Sequence, residues 1–271
     1  MVSIDKNTPI IKLDDISVEF KTRTGSLLHP NIIKAVSNLS LDLYLGQTIG
    51  LVGESGCGKS TTANVMCGLQ SVTSGHVYFK GRDVTKRSAN DRREIGRVVS
   101  VVFQDPATAL NARMSILEQL CDPMKVHKIG DKQFMKDKAY KLLEIVGLPK
   151  SVMPALPGQL SGGQRQRVAI ARALALDPDA IIADEPTSAL DVSVRAQILN
   201  LLTDLKEKLN LSMVFISHDI QTVRYISDDI IVMNGGKIVE QGSRDQIFEK
   251  PKDAYTKKLL GAAPSLLHPD V

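Results

Sequence analysis

Gly53-Glu54-Ser55-Gly56-Cys57-Gly58-Lys59-Ser60 fits the pattern G-x-x-x-x-G-K-[ST], with Thr61 directly behind it. Gly53, Gly56 and Gly58 let the backbone curl until several N–H groups face one point, which suits a phosphate. A helix opening at Lys59 adds partial positive charge at the same place. Lys59 then reaches the β- and γ-phosphates of a nucleoside triphosphate, and the Ser60 hydroxyl ligates Mg²⁺. Ser55, Cys57 and Thr61 complete this phosphate-binding set. A second cluster ends an apolar run: Ile181-Ile182-Ala183 is followed by Asp184-Glu185. At the carboxyl end of a parallel strand, where ligands sit, Asp184 can hold Mg²⁺ and Glu185 can take a proton from an attacking water. Alone, the first cluster could be a glycine-rich turn and the second a solvated loop. A strand before each and a helix behind the first favour the chemical reading.

The elements that must position these residues read as follows. Strands are expected at Ile10 to Phe20, Leu39 to Leu45, Thr48 to Val52 and His76 to Phe79, with a helix from Lys59 to about Leu69. The stretch Lys21 to Asn31, with Gly25 and Pro30, reads as a loop. Val98 to Phe103 is a β-branched run suited to a strand buried on both faces. Asp105 to Ala175 is mostly helical, punctuated by prolines. Strands return at Ala180 to Ala183 and Ser212 to Ile216, each followed by a helical stretch, which implies a parallel sheet with helices on its faces. Ile230 to Met233, Asn234-Gly235-Gly236 and Lys237 to Glu240 read as a hairpin, followed by a short helix from Asp253 to Gly261.

Composition removes several alternatives. A net charge of +4, from 34 basic and 30 acidic side chains, supplies no basic stripe for nucleic acid. Trp is absent and aromatic residues are 4%, so a base-stacking surface is not expected. Cys57, Cys67 and Cys121 lie far apart, which forms neither a zinc set nor a disulfide framework and suits a reducing cytosol. Met1 to Asp15 has no apolar core of signal-peptide length, and no apolar run nears the ~18 residues of a membrane span.

Leu160-Ser161-Gly162-Gly163-Gln164, continuing Arg165-Gln166-Arg167-Val168-Ala169-Ile170-Ala171-Arg172-Ala173-Leu174, resembles the signature of the ABC ATPase family, and the resemblance spans nearly the whole chain. It implies a P-loop NTPase core with a mixed, largely parallel sheet, an antiparallel β subdomain and a helical insertion. The implied division is a nucleotide-binding domain over 1–244, its helical part at about 105–175, and a helical tail over 245–271. As residues opening a helix, Ser161 and the Gly162 and Gly163 amides can bind phosphate. The resemblance assigns them, with Gln164, to the γ-phosphate held by a second subunit. It likewise makes Gln104 a sensor of Mg²⁺ and γ-phosphate, Asp191 of Ser188-Ala189-Leu190-Asp191 part of a dimer-crossing loop, and His218 a γ-phosphate contact. Phe20 is either the aromatic that stacks on adenine, where the family often has Tyr, or core packing. The cofactors implied are ATP and Mg²⁺.

Within the family the chain is most similar to the peptide and nickel importer branch. That similarity rests on Phe103 to Met114, on Asp184 to Val194 and on Asp253 to Leu260, where the branch usually begins His-Pro-Tyr-Thr and only Tyr255 and Thr256 remain. Ala112 stands where the family commonly has proline. The branch implies a second ATPase chain, often a paralogue, beneath two membrane-spanning permease subunits at the cytoplasmic face, fed indirectly by a substrate-binding protein. Di- or oligopeptides are the expected cargo, nickel or a metallophore the alternative. No cysteine follows Cys121, so the iron–sulfur segment of some members is not expected. A soluble ABC ATPase of repair or translation would carry tandem domains or a coiled-coil insertion. A P-loop kinase or GTPase would lack the signature.

Overall fold

The computed structural model describes residues 8–21 and 31–262. In chain order these form strands β1 (Ile11–Lys21), β2 (Ile32–Leu43) and β3 (Thr48–Val52), helix α1 (Lys59–Met66), strands β4 (Ser74–Phe79) and β5 (Arg82–Asp83), and helix α2 (Ala89–Val98). Strand β6 (Val99–Val102) leads into helices α3 (Pro106–Ala109), α4 (Ile116–Val126), α5 (Lys132–Ile145) and α6 (Gly162–Ala173). Next come β7 (Ala180–Asp184), α7 (Val192–Leu209), β8 (Ser212–Ser217), α8 (Ile220–Ile226), β9 (Asp229–Asn234), β10 (Lys237–Ser243), α9 (Arg244–Glu249) and α10 (Ala254–Ala262). The chain divides into two compact units, Met1–Ser88 with Met213–Val271, and Ala89–Ser212.

The first unit carries an antiparallel sheet in the order β2-β1-β4-β5. It also carries β3 paired in parallel with β8 on one side and β9 on the other, with β10 antiparallel to β9. All residues of β3 and β8 are buried, as expected of parallel strands covered on both faces. In β1 the buried positions Ile11, Leu13, Ile16 and Val18 skip one residue after Leu13. That skip is a β-bulge: the pairing with β2 shifts between Leu13 and Ile16, and Asp15 takes φ 50°. Asn38 of the facing strand, itself at φ 51°, donates to Asp15 Oδ1 at 2.9 Å. The β9–β10 turn places Gly235 at φ 55° and Gly236 at φ 80°, the pairing of a type I′ hairpin.

The second unit pairs β6 with β7 in parallel and packs α3, α4, α5 and α7 around α6. Arginines of α6 bind this unit together: Arg165 donates to the Leu160 carbonyl at 2.7 Å, Arg167 to that of Val146 at 2.7 Å and Arg172 to that of Ala109 at 2.8 Å.

Three expectations change. β2 begins at Ile32 rather than Leu39, because its first half pairs with the end of β1 while leaving Ile32 and Ile33 exposed, so no alternation marks it. It ends at Leu43, where Gln47 Oε1 accepts the Tyr44 amide in a turn. The run Val98 to Phe103 is shorter as a strand, since Val98 closes α2, and Ser100 and Val101 are only half-buried. Residues 22–30 of the expected loop lie outside the described residues.

Candidate nucleotide-binding and hydrolysis site

In the first unit, β3 delivers the chain into the glycine-rich loop and α1 leaves it, so Gly53 to Ser60 joins a buried strand to a helix. A Cβ on Gly53, at φ 155°, would collide with the Met233 carbonyl of β9. One on Gly58, at φ 103°, would collide with the Ala35 carbonyl of β2. Gly236 of the hairpin turn donates its N–H to the Cys57 carbonyl at 3.1 Å and accepts from the Ser37 amide at 2.7 Å. The loop is therefore shaped by backbone from β2 and from the β9–β10 turn. Gly58 caps α1 without any side-chain acceptor, so no side chain of the cap fills the place of an anion before the first-turn amides.

Lys59 is 5% exposed. Its ammonium donates to the carbonyls of Gly53 at 2.7 Å and Glu54 at 2.9 Å, and its Nζ lies 3.8 Å from Cys57 Sγ. Those are loop groups a phosphate can replace as partners. Ser60 is exposed, Thr61 is half-buried, and Thr62 ties its hydroxyl to the Gly58 carbonyl at 3.0 Å. Ser55 and Gly56 are exposed at the loop's crest, and Cys57 is buried. The loop's other edge carries a partner that its motif does not contain: the Glu54 amide donates to the Tyr255 hydroxyl at 3.0 Å. His218 is exposed between β8 and α8, beside Asp219, whose carboxylate caps α8 through the amides of Gln221 and Thr222 and the Thr222 hydroxyl. Phe20, 40% exposed at the end of β1, is not a core residue, which leaves its ring available to a ligand.

In the second unit, Asp184 ends β7 and Glu185 follows at φ 46°, a left-handed conformation that costs a glutamate about 1–3 kcal/mol. The turn that holds it is built from the next residues. The Glu185 carbonyl accepts the Ser188 amide at 3.2 Å and the Ser188 hydroxyl at 3.1 Å. Gln104 Nε2 donates to Glu185 Oε2 at 3.5 Å, the outer limit of a hydrogen bond. The loop after β6 and the end of β7 thus bring Gln104 and Glu185 together. Asp191 caps α7: its carboxylate accepts from the Val194 amide and the Ser193 hydroxyl, both at 2.9 Å. Those two bonds, the Val194 amide foremost, hold its carboxyl below the ordinary aspartate range.

Ser161 caps α6 in a capping box with Gln164. The serine hydroxyl accepts the Gln164 amide at 3.3 Å, and Gln164 Oε1 accepts the Ser161 amide at 2.9 Å. Gly162 and Gly163 form the first turn, where no carbonyl of the helix reaches back to their amides. Sequence and structure agree that a helix opens here, capped by Ser161.

The ABC transporter family profile matches residues 36–188, which hold both the phosphate loop and the signature. This chain belongs to the ABC transporter family. The oligopeptide transport ATP-binding protein OppF of Lactococcus lactis subsp. lactis (strain IL1403) is 42% identical over 95% of the chain and 81% of its own length. The dipeptide transport ATP-binding protein DppF of Escherichia coli (strain K12) is 42% identical over 97% of the chain and 78% of its own length. Among solved structures, the ATP-binding cassette MJ0796, a dimer bound to ADP and Pi, superposes with a TM-score of 0.77 at 31% identity, covering 86% of this chain and 98% of that one. The family fold expected from the motifs is the fold observed, and the chain is an ATP-hydrolysing cassette. No helix among the described residues is long and apolar enough to cross a membrane.

Proposed function

We propose that this chain powers the import of di- or oligopeptides as one of two ATPase subunits beneath a pair of permease subunits, at the cytoplasmic face of the membrane. The observation that carries this is the 40–44% identity, over nearly the whole chain, to proteins named for oligopeptide and dipeptide transport. The second cassette is a paralogue, the substrate-binding protein acts at a remove, and the helical region at 105–175 meets the permease.

In the reaction, the loop amides and Lys59 bind the phosphates of ATP, Phe20 faces the adenine, and Thr61 supports the first turn of α1. The donor set is hydroxyl, amide and carboxylate oxygen, and no group of three or more His, Cys, Asp or Glu among the described residues forms a cage. Such a set fits Mg²⁺, which prefers one or two protein oxygens together with phosphate and water. Ser60, Asp184 and Gln104 would hold the ion, which supplies charge neutralisation at the phosphates when bound. Glu185 takes the proton of the attacking water, and His218 contacts the γ-phosphate. Gln104 reports γ-phosphate through its bond to Glu185. Ser161, Gly162, Gly163 and Gln164 face the nucleotide held by the other subunit, and Asp191 lies on the segment between them.

The test is fractionation and uptake. Expressed alone, the chain is expected in the soluble fraction. Co-expressed with a peptide permease pair and its second cassette, it moves to the membrane and supports uptake of a labelled dipeptide. Membrane association with no uptake of any di- or tripeptide would remove peptides as the cargo.

A further inference from the structure

The phosphate loop is held at a point outside its own motif. Tyr255, on α10, accepts the Glu54 amide through its hydroxyl at 3.0 Å, across 201 positions of sequence. The Glu54 carbonyl, in the next peptide group, accepts the Cys57 amide at 3.3 Å and the Lys59 ammonium at 2.9 Å. Of these three bonds, the one from the Lys59 ammonium is given up when Lys59 turns toward phosphate. The bond to Tyr255 need not change.

α10 is itself seated rather than dangling. Glu240 of β10 accepts the Lys252 amide at 2.8 Å on one carboxylate oxygen and the Asp253 amide at 3.0 Å on the other. Asp253 in turn accepts the Tyr255 amide at 2.7 Å, and Thr256 is wholly buried. β10 is the second strand of the hairpin whose turn meets the Cys57 carbonyl, so hairpin and helix grip the loop from one continuous stretch of chain. Burial pushes the Tyr255 phenol above its ordinary value, in keeping with a neutral hydroxyl that accepts an amide.

We infer that Tyr255 is a positioning residue of the phosphate loop, fixing the Glu54 peptide so that ATP meets a loop already shaped. This rests on the reading of Gly53 to Ser60 as the ATP site. Fixing a loop before binding lowers the ordering cost that the ligand otherwise meets. By linkage, ATP in the loop must in turn steady α10.

The experiment compares the full chain with Tyr255→Phe, Glu240→Gln and Lys59→Ala, measuring ATP affinity, steady-state hydrolysis, melting temperature and amide exchange. Tyr255→Phe keeps the ring and removes one oxygen. It is expected to weaken ATP binding about three- to tenfold, the effect of one hydrogen bond. KM should rise by that factor while kcat stays within about twofold, since no group at Glu185 is touched. The Glu54 amide should exchange faster, with the Gly236 amide and the melting temperature unchanged. Glu240→Gln, which loosens the seat of α10, should change Glu54 exchange and ATP affinity in the same direction. Unchanged ATP affinity in Tyr255→Phe, beside a large loss in Lys59→Ala, would overturn the role of Tyr255 alone. Unchanged affinity in both would overturn the loop reading and the inference with it. A weakened affinity accompanied by an equal fall in melting stability, with no selective change at Glu54, would reduce Tyr255 to ordinary packing.

Discussion

Glu185→Gln is expected to slow ATP hydrolysis by roughly 10²–10⁴-fold, the range of a general base, and to leave ATP binding intact. The substitution keeps the side chain's size and its reach toward Gln104, whose amide lies 3.5 Å from Glu185 Oε2. It removes only the ability to accept a proton. The left-handed backbone at Glu185 is held by Ser188 through main-chain and hydroxyl bonds to the carbonyl, none of which involves the carboxylate. The variant should therefore fold and melt as the parent does. Phosphate release under saturating ATP measures the loss, and size-exclusion chromatography with ATP shows whether bound nucleotide now accumulates in a paired species. A variant that hydrolyses at near the parental rate would take Glu185 out of the chemistry. One that binds ATP yet stays single would point to an unlike second cassette.

Gly162→Asp should leave the isolated chain stable and able to bind ATP, yet lower the activity of the assembled pair roughly a hundredfold or more, since like charges facing each other cost several kcal/mol. The space is open: a Cβ at Gly162 would lie 3.6 Å from Leu190 Cδ2, ordinary contact. Gly163 could not serve, because a Cβ there would come within 2.6 Å of Val194 Cγ1. A carboxylate in the first turn of α6 suits the helix dipole, by about 0.3–1 kcal/mol at most. The same charge opposes a γ-phosphate presented to that terminus. Folding and function are thus expected to move in opposite directions, which a merely structural glycine would not produce. The readout is a pair of measurements: ATP affinity of the single chain, and turnover of the complex. If turnover survives, the signature does not face phosphate.

Much of this was legible because the residue types themselves carry the geometry. Gly53 and Gly58 announced a loop pressed against other backbone, though not that the backbone would be Met233 and Ala35. The capping box at Ser161 and Gln164 is written as a serine three residues before a glutamine. Even the bulge in β1 is visible as the extra residue between Leu13 and Ile16. What stayed hidden depends on partners remote in sequence. α2 is mostly charged and polar and buries only Ile95, so no apolar stripe marks it. The left-handed backbone at Glu185 runs against its residue type, and the following Pro186 favours extended backbone there. Tyr255 stood out in the tail as a residue type, but nothing near it in sequence points to Glu54.

The walls of the phosphate loop also fix when that loop can exist. Gly53 to Ser60 is synthesised well before the Met233 carbonyl, the Gly236 amide and the Tyr255 hydroxyl that shape it, Tyr255 following Glu54 by 201 positions. Thr48, at the start of the strand feeding the loop, donates to Asp228 across 180 positions. Closing contacts of that span is slow, because the chain loses entropy before the contacts can reward it. ATP stabilises only a form that binds it. It therefore cannot guide the nascent chain toward the fold, and acts instead as a seal on the finished one. A chain cut short before β9 forfeits that seal, however intact its glycine-rich motif.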